Sequence, residues 1–492
     1  MEGAPGDWAR PMTSRVRALL ALVAVVATVV TGCASTVGGR AVSIYEDPFT
    51  VAGLPAQGGP SGPRPGVPDS NRAVVGTDRG AIDTLAANAI TDIESYWAGQ
   101  YPTIFKGTFR PVGTLVSWNP DDPAAPEFCG FQTRDEVNAG YCTEDDAIGW
   151  DREYLLPSLV DAFGPMAAVM VLAHEYGHAV QQKAGLVGDD DPGIVFEQQA
   201  DCFAGAFVRY IAEDGAAHFT LNTSDGLNSV LAATVSVRDT DPSDPESTHG
   251  SAFERVTAVQ LGFTDGPSAC TRIDTNEILS RRAELPQSFD GTADDGELPV
   301  TEESVRAIVA SFGAVFALAD PPTLDFAGAD TGCADGAATE PVSYCATTNT
   351  IGVDLPALAE RGRPRDSDSD AIISVDITGD YSAYVLLASR YTFAVQKASG
   401  MSLRGPRAAL RAACLSGAVT AALSPGNAQT TDGSRGVWLS AGDLDEAISG
   451  LLSDGLAASD VDGNTVPSGF SRVDAFRTGV LAGQQACDGR YR

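Results

Sequence analysis

The chain repeats itself, and that repetition restricts its possible folds more than any other feature. Cys129 to Asp151 reads C-x12-C followed by Ile148-Gly-Trp-Asp151, and Cys333 to Asp354 reads C-x11-C followed by Ile351-Gly-Val-Asp354. Val171–Gln181 (VLAHEYGHAVQ) recurs as Leu386–Gln396 (LLASRYTFAVQ), and Ala200–Ala206 recurs as Ala412–Ala418. Phe253 through Gly262 to Cys270 recurs as Phe470 through Gly479 to Cys487. Each copy opens with an amphipathic helix. Ile82, Leu85, Ala86, Ile90, Ile93 and Trp97 keep helical period in the first, and Val305, Ile308, Val309, Phe312 and Phe316 in the second. Two related domains are expected, about 73–290 and 300–492, joined by the acidic linker 290–297. Each reads as α+β and mostly helical, with a small sheet.

Cysteine usage fits the repeat. The chain has nine cysteines. Setting Cys33 aside leaves an even number, which in an exported chain reads as disulfides. Parallel positions suggest the pairs 129–142 and 202–270, with 333–345 and 414–487 as counterparts.

Chemistry concentrates in the first copy. His174-Glu175-Tyr-Gly-His178 lies in an apolar, helix-forming run, and residues four apart share one helix face. His174 and His178 can therefore aim two imidazoles at one ion. Glu175, one step round the helix, can hold and deprotonate a metal-bound water. Neutral nitrogen ligands, an open coordination position and a carboxylate base are what zinc hydrolysis needs. The chain has four histidines in all, and two of them are these. Downstream, Phe196–Gly205 is a second helical segment with Glu197 and Asp201 four apart. Glu197 offers a third zinc ligand. Asp201, one turn later, can accept the ring N–H of a ligating histidine and fix its tautomer. The plain alternative is surface histidines and solvated carboxylates, but Ala200, Cys202 and Phe203 mark a packed helix.

AHEYGHAVQ followed by EQQADCFAG resembles the neutral zinc metallopeptidases, a gluzincin-type family with a His-Glu-x-x-His helix and a downstream Glu-x-x-x-Asp helix. Asn138–Asp151 and Thr248–Phe263 fit it as well, so the likeness covers roughly residues 80–270. It implies zinc (Zn2+) ligands at His174, His178 and Glu197, with Glu175 as the base. It also implies a zincin-like fold for the first copy, as in an actinobacterial-type lipoprotein peptidase, and the repeat makes the second copy a degenerate one. In zincin folds an edge strand beside the metal pairs with extended substrate. Ile148–Asp151 reads as that strand, and Asp145 and Asp146 before it are positioned to bias specificity.

The second copy acts as an internal control. It keeps cysteine, glycine and apolar positions but replaces His174 by Ser389, Glu175 by Arg390 and His178 by Phe393. Glu197 and Asp201 become Ala409 and Ala413. A scaffold that survives without these groups does not need them to fold, so the first copy keeps them for function. His249 becomes Val466, which supports a catalytic role near the metal as an oxyanion donor, with a surface or loop-ordering histidine as the alternative. Tyr176 and Arg255 persist as Tyr391 and Arg472 and so read as structural. His218 sits in a polar loop and reads as bland.

Ahead of both copies, Arg10, Arg15 and Arg17 precede the apolar run Ala18–Val30, which ends at Val30-Thr-Gly-Cys33. This reads as a lipoprotein signal over 1–32, with Met12 an alternative start and Cys33 the lipidated residue. Residues 33–72, with a Pro/Gly tract over 53–68, read as a tether without a core of its own. The net charge of −33, from 65 acidic and 32 basic residues, disfavours nucleic acid as a partner. The expected protein is thus a zinc peptidase exported to the cell envelope. It is anchored through Cys33 on the outer face of the cytoplasmic membrane and hydrolyses a peptide or protein substrate. The competing class is a non-catalytic zinc-binding envelope scaffold or binding module.

Overall fold

The computed structural model describes residues 36–37, 40–41, 50–188, 190–239, 248–282, 297–364, 373, 377–424, 437, 439–440 and 442–492. The expected signal, Cys33 and linker residues 290–296 lie outside them. Within the unit Met1–Glu46, Thr36–Val37 pairs antiparallel with Arg40–Ala41. The unit Asp47–Arg492 carries the rest.

In its first half, helix α1 (Ala81–Ile104) buries Leu85, Ala86, Ile90, Ile93 and Trp97, as the periodicity predicts. A three-stranded sheet follows. Strand β1 (Thr114–Trp118) runs parallel to β3 (Ala147–Asp151), and β2 (Ala139–Cys142) pairs antiparallel with β3. The sequence placed Ile148–Asp151 at the sheet edge. Instead it is central, with partners on both sides. Burial along its whole length is the reason, since a strand covered on both faces belongs inside a sheet. The outer strands are β1 and β2.

Five longer helices complete this half: α2 (Leu155–Phe163), α3 (Pro165–Ala184), α4 (Gly193–Ala212), α5 (Asp225–Ser236) and α6 (Ala252–Asp265). Their crossings are set by missing side chains. A Cβ on Gly177 of α3 would lie 2.8 Å from Ala200 Cα of α4, closer than real atoms approach. A Cβ on Gly262 of α6 would lie 1.8 Å from the Cys202 carbonyl oxygen. These glycines let α3 and α6 press against α4 from two sides. The 202–270 disulfide ties α4 to the short turn after α6.

The second half runs α7 (Glu302–Phe316), β4 (Thr323–Asp325), β5 (Val342–Cys345), β6 (Thr350–Val353) and α8 (Leu355–Arg361). Then come α9 (Asp380–Ala398), α10 (Pro406–Ala422), α11 (Asp443–Leu452) and α12 (Gly469–Arg490). Strands β4 and β6 are parallel, and β5 pairs antiparallel with β6. All four expected disulfides are present.

The halves are not separate globules on a linker. One apolar core runs through both, with Phe263 and Phe470 rings 5.0 Å apart across the junction. Gln260 Nε2 donates to the Phe470 carbonyl at 3.0 Å, and Asn228 Nδ2 to the Pro467 carbonyl at 3.1 Å.

The Pro/Gly stretch is also corrected over its described part. Residues 50–72 lie along the first half instead of holding it at a distance. Gly62–Pro63 pairs with Phe219–Thr220, Arg64 Nε donates to the Phe219 carbonyl at 2.8 Å, and Val51 is fully buried. Composition gave no sign of this packing. It could not show that loop 214–224 satisfies its polar groups. Among the described residues no helix is long and apolar enough to cross a membrane.

Candidate metal centre

Helices α3 and α4 cross at Gly177 and Ala200, and this crossing brings the motif residues together. His174 Nε2 lies 3.1 Å from Glu197 Oε2, and His178 Nε2 lies 3.7 Å from Glu197 Oε1. One donor atom from each of the three residues falls within 4.8 Å of the others. The imidazole rings are perpendicular, with centroids 4.9 Å apart.

Each ring is held from behind. His174 Nδ1–H donates to Asp201 Oδ1 at 2.8 Å, which leaves Nε2 free to ligate. His178 Nδ1–H donates to Gln181 Oε1 at 2.9 Å. Gln181 spends its Nε2 on the Phe196 carbonyl and on Gln199 Oε1, so only its oxygen remains for the histidine. Asp201 is fully buried and is gripped in turn by Arg255, whose Nε and Nη2 reach its two oxygens at 2.9 and 2.8 Å.

The electrostatics call for a cation. Burial opposes charge on His174, yet Asp201 and Glu197 outweigh it and raise its pKa to about 10. Burial pushes Asp201 up, but Arg255 and His174 bring it down to about 2. Glu197 is lowered the same way by His174 and His178, against its own burial. Glu197 Oε2 is buried without a hydrogen-bond partner. A buried carboxylate oxygen left unpaired among imidazole nitrogens is costly unless a cation meets it. Two imidazoles and one carboxylate form the donor set that suits zinc.

Glu175 faces a cavity of about 210 Å³ beside this centre, lined also by Val137, Leu155, Met170, Val171 and His249. Burial raises its pKa, partly countered by His174 and His178. The His249 side chain is 45% exposed and reaches the centre from the loop before α6. Its Nε2 lies 3.7 Å from Glu197 Oε2, and its Nδ1–H donates to Asp239 Oδ1 at 3.1 Å. The structure thus gathers His174, Glu175, His178, Glu197, Asp201 and His249 at one cleft. Tyr176 points away, bonded to the Val112 amide and fully buried. Asp146 is taken by Lys183 and Tyr141 and does not line the cavity. His218 pins a loop through Asp92.

Arg255 is a site residue that sequence reasoning discounted because Arg472 stands at its counterpart. The two arginines do different work. Arg472 gives its donors to the carbonyls of Leu451, Leu452 and Val466. Asp239 was missed altogether, since an aspartate in a polar loop carries no sequence signal. Gln181 was missed too, although it lies three residues after a ligating histidine on the same face. Arg390, which the sequence repeat aligns with Glu175, donates to Val342 O and Ser459 Oγ.

Residues 30–273 match the model of a family described as "Putative neutral zinc metallopeptidase". Uncharacterized proteins of Mycobacterium bovis and of two Mycobacterium tuberculosis strains are each 30% identical over 168 residues. The match covers 29% of this chain and 57% of each relative, so the chain spans little more than half the length of these relatives. No solved structure matches the chain.

Proposed function

Because residues 30–273 belong to the neutral zinc metallopeptidase family, we infer that the cleft at Glu175 is the active site of a zinc-dependent peptidase. The observation that carries this reading is the Glu197 carboxylate facing two oriented histidines, with Oε2 3.1 Å from His174 Nε2 and Oε1 3.7 Å from His178 Nε2. His174, His178 and Glu197 would hold the ion. Zinc bound there supplies a Lewis acid that polarises a carbonyl and acidifies water.

The remaining steps belong to the chain's own groups. Glu175, its pKa raised by burial, takes a proton from water in the cleft and returns it to the leaving amine. His249, oriented through Nδ1 by Asp239, is placed to offer Nε2 to the carbonyl oxygen as negative charge develops. Edge strand β2 reaches the cavity at Ala139, where an extended peptide can add as a further strand. The apolar lining favours a substrate that presents an apolar side chain beside the scissile bond.

The second half we read as a degenerate copy of a zincin-like first half. Supporting this are the same strand order, a similar disulfide spacing (68 and 73 residues for the long bridges) and the same glycine-mediated helix crossing, with Gly479 against the Cys414 carbonyl. We further propose export and lipid anchoring through Cys33 in the cell envelope, on the strength of the sequence before it. Mass spectrometry of the mature N-terminus should find a diacylated Cys33, and an unmodified Cys33 would remove the anchor. For the activity, a peptide library should be cleaved by the wild type and left intact by Glu175→Gln at equal zinc content. Equal cleavage by both would remove Glu175 as the base.

A further inference from the structure

Three consecutive residues, Val237, Arg238 and Asp239, are wired in three directions. The Val237 carbonyl accepts from Arg255 Nη1, and Arg255 holds Asp201, which orients His174. The Asp239 carboxylate accepts from His249 Nδ1–H and, at 2.7 Å, from the Gly250 amide. Between them, the Arg238 side chain points across the junction and meets Asp445 of α11, with Nε 3.1 Å from Oδ2. Asp445 also accepts from the amides of Ala252 and Phe253, the first residues of α6. That helix carries Arg255, and His249 lies just before it. Both arms of the site, one ending at His174 and the other at His249, therefore start from a corner fixed by one carboxylate of the second half. Both ends of the Arg238–Asp445 pair are shielded, with side chains 12% and 9% exposed. In that setting an ion pair with added amide donors is far stronger than at a surface.

We propose that the second half serves the first as a built-in support, and that Asp445 is a positioning residue for the metal centre, acting through Arg238 and the start of α6. This rests on the zinc reading for its metal consequences, but its geometry does not. The pair fixes the backbone from which Arg255 and His249 are aimed. Outer partners of metal ligands typically change affinity by about 10–100-fold, and a residue one link further out belongs at the lower end of that range.

The test uses the full chain as wild type, Asp445→Asn, Arg238→Ala, the double variant, and Gln260→Ala. Gln260→Ala breaks another bond across the junction, one not wired to the site. Zinc affinity, measured by chelator competition, should fall about tenfold in Asp445→Asn and in Arg238→Ala. It should fall no further in the double variant and stay at the wild-type value in Gln260→Ala. A second readout needs neither zinc nor activity. The chain has four histidines, so their ring resonances in zinc-free protein form a small set. In Asp445→Asn the His174 and His249 signals should move while His218, pinned to Asp92, stays. If Asp445→Asn does not fold, Arg238→Lys carries the same readouts. Unmoved His174 and His249 signals overturn the proposal whether or not the wild type binds zinc. So does wild-type zinc affinity in Asp445→Asn. Failure of the wild type to take up zinc counts against the peptidase reading instead, and the histidine signals then decide this proposal alone.

Discussion

Arg255 and Asp201 form a two-pronged ion pair in the protein interior, 2.9 and 2.8 Å long, and His174 hangs from the same carboxylate. The pair makes an otherwise prohibitive buried aspartate tolerable, and it fixes which imidazole nitrogen faces Glu197. Removing one partner strands the other in low dielectric.

Arg255→Ala should therefore cost about 3–5 kcal/mol of stability and weaken zinc binding by about 10–100-fold. Thermal melts and metal competition measure the two losses. Arg255→Lys should recover part of the stability but not the orientation, because lysine cannot bridge both oxygens. Wild-type zinc affinity in Arg255→Ala would detach this arginine from the site.

Zinc uptake should depend on pH in an unusual range. The His174 pKa stands at about 10 in the metal-free site, where Asp201 and Glu197 outweigh the opposing effect of burial. Ligation requires the neutral ring, so binding must expel that proton. Affinity should climb about tenfold per pH unit from pH 7 to 9 and level off only near the raised pKa. A histidine at its ordinary value would give a plateau above about pH 7. Chelator competition across this range separates the two.

His249→Ala should lower kcat by about 10²–10³ while leaving zinc content and ground-state binding near wild type, because its bond strengthens only as charge develops on the substrate. Steady-state kinetics beside a melting curve check this. A stability loss with unchanged kcat would make His249 a loop-ordering residue.

Much of the site was legible because helical spacing is a local rule. His174 and His178, like Glu197 and Asp201, are four apart, and the spacing alone sets each pair on one face. The internal repeat supplied the disulfides. Long-range geometry was not legible. Strand Ile148–Asp151 looked like an edge because nothing in its own residues reveals a partner such as Thr114–Trp118, 33 positions upstream. Arg255 was discounted for a related reason. Its partner Asp201 is 54 residues away, and the matching Arg472 satisfies itself on main-chain carbonyls, so a shared residue type hid two different roles. The packing of residues 50–72 was likewise invisible, since Phe219 and Thr223 lie over 150 positions downstream.

The central claim is that one zinc ion is held by His174, His178 and Glu197 in the first half. Metal content after exhaustive dialysis against a zinc-buffered solution tests it most directly, with the wild type beside Glu197→Ala. One zinc per chain in the wild type and a large loss in Glu197→Ala is the predicted result. No zinc in the wild type, or one zinc retained in Glu197→Ala, would contradict the account.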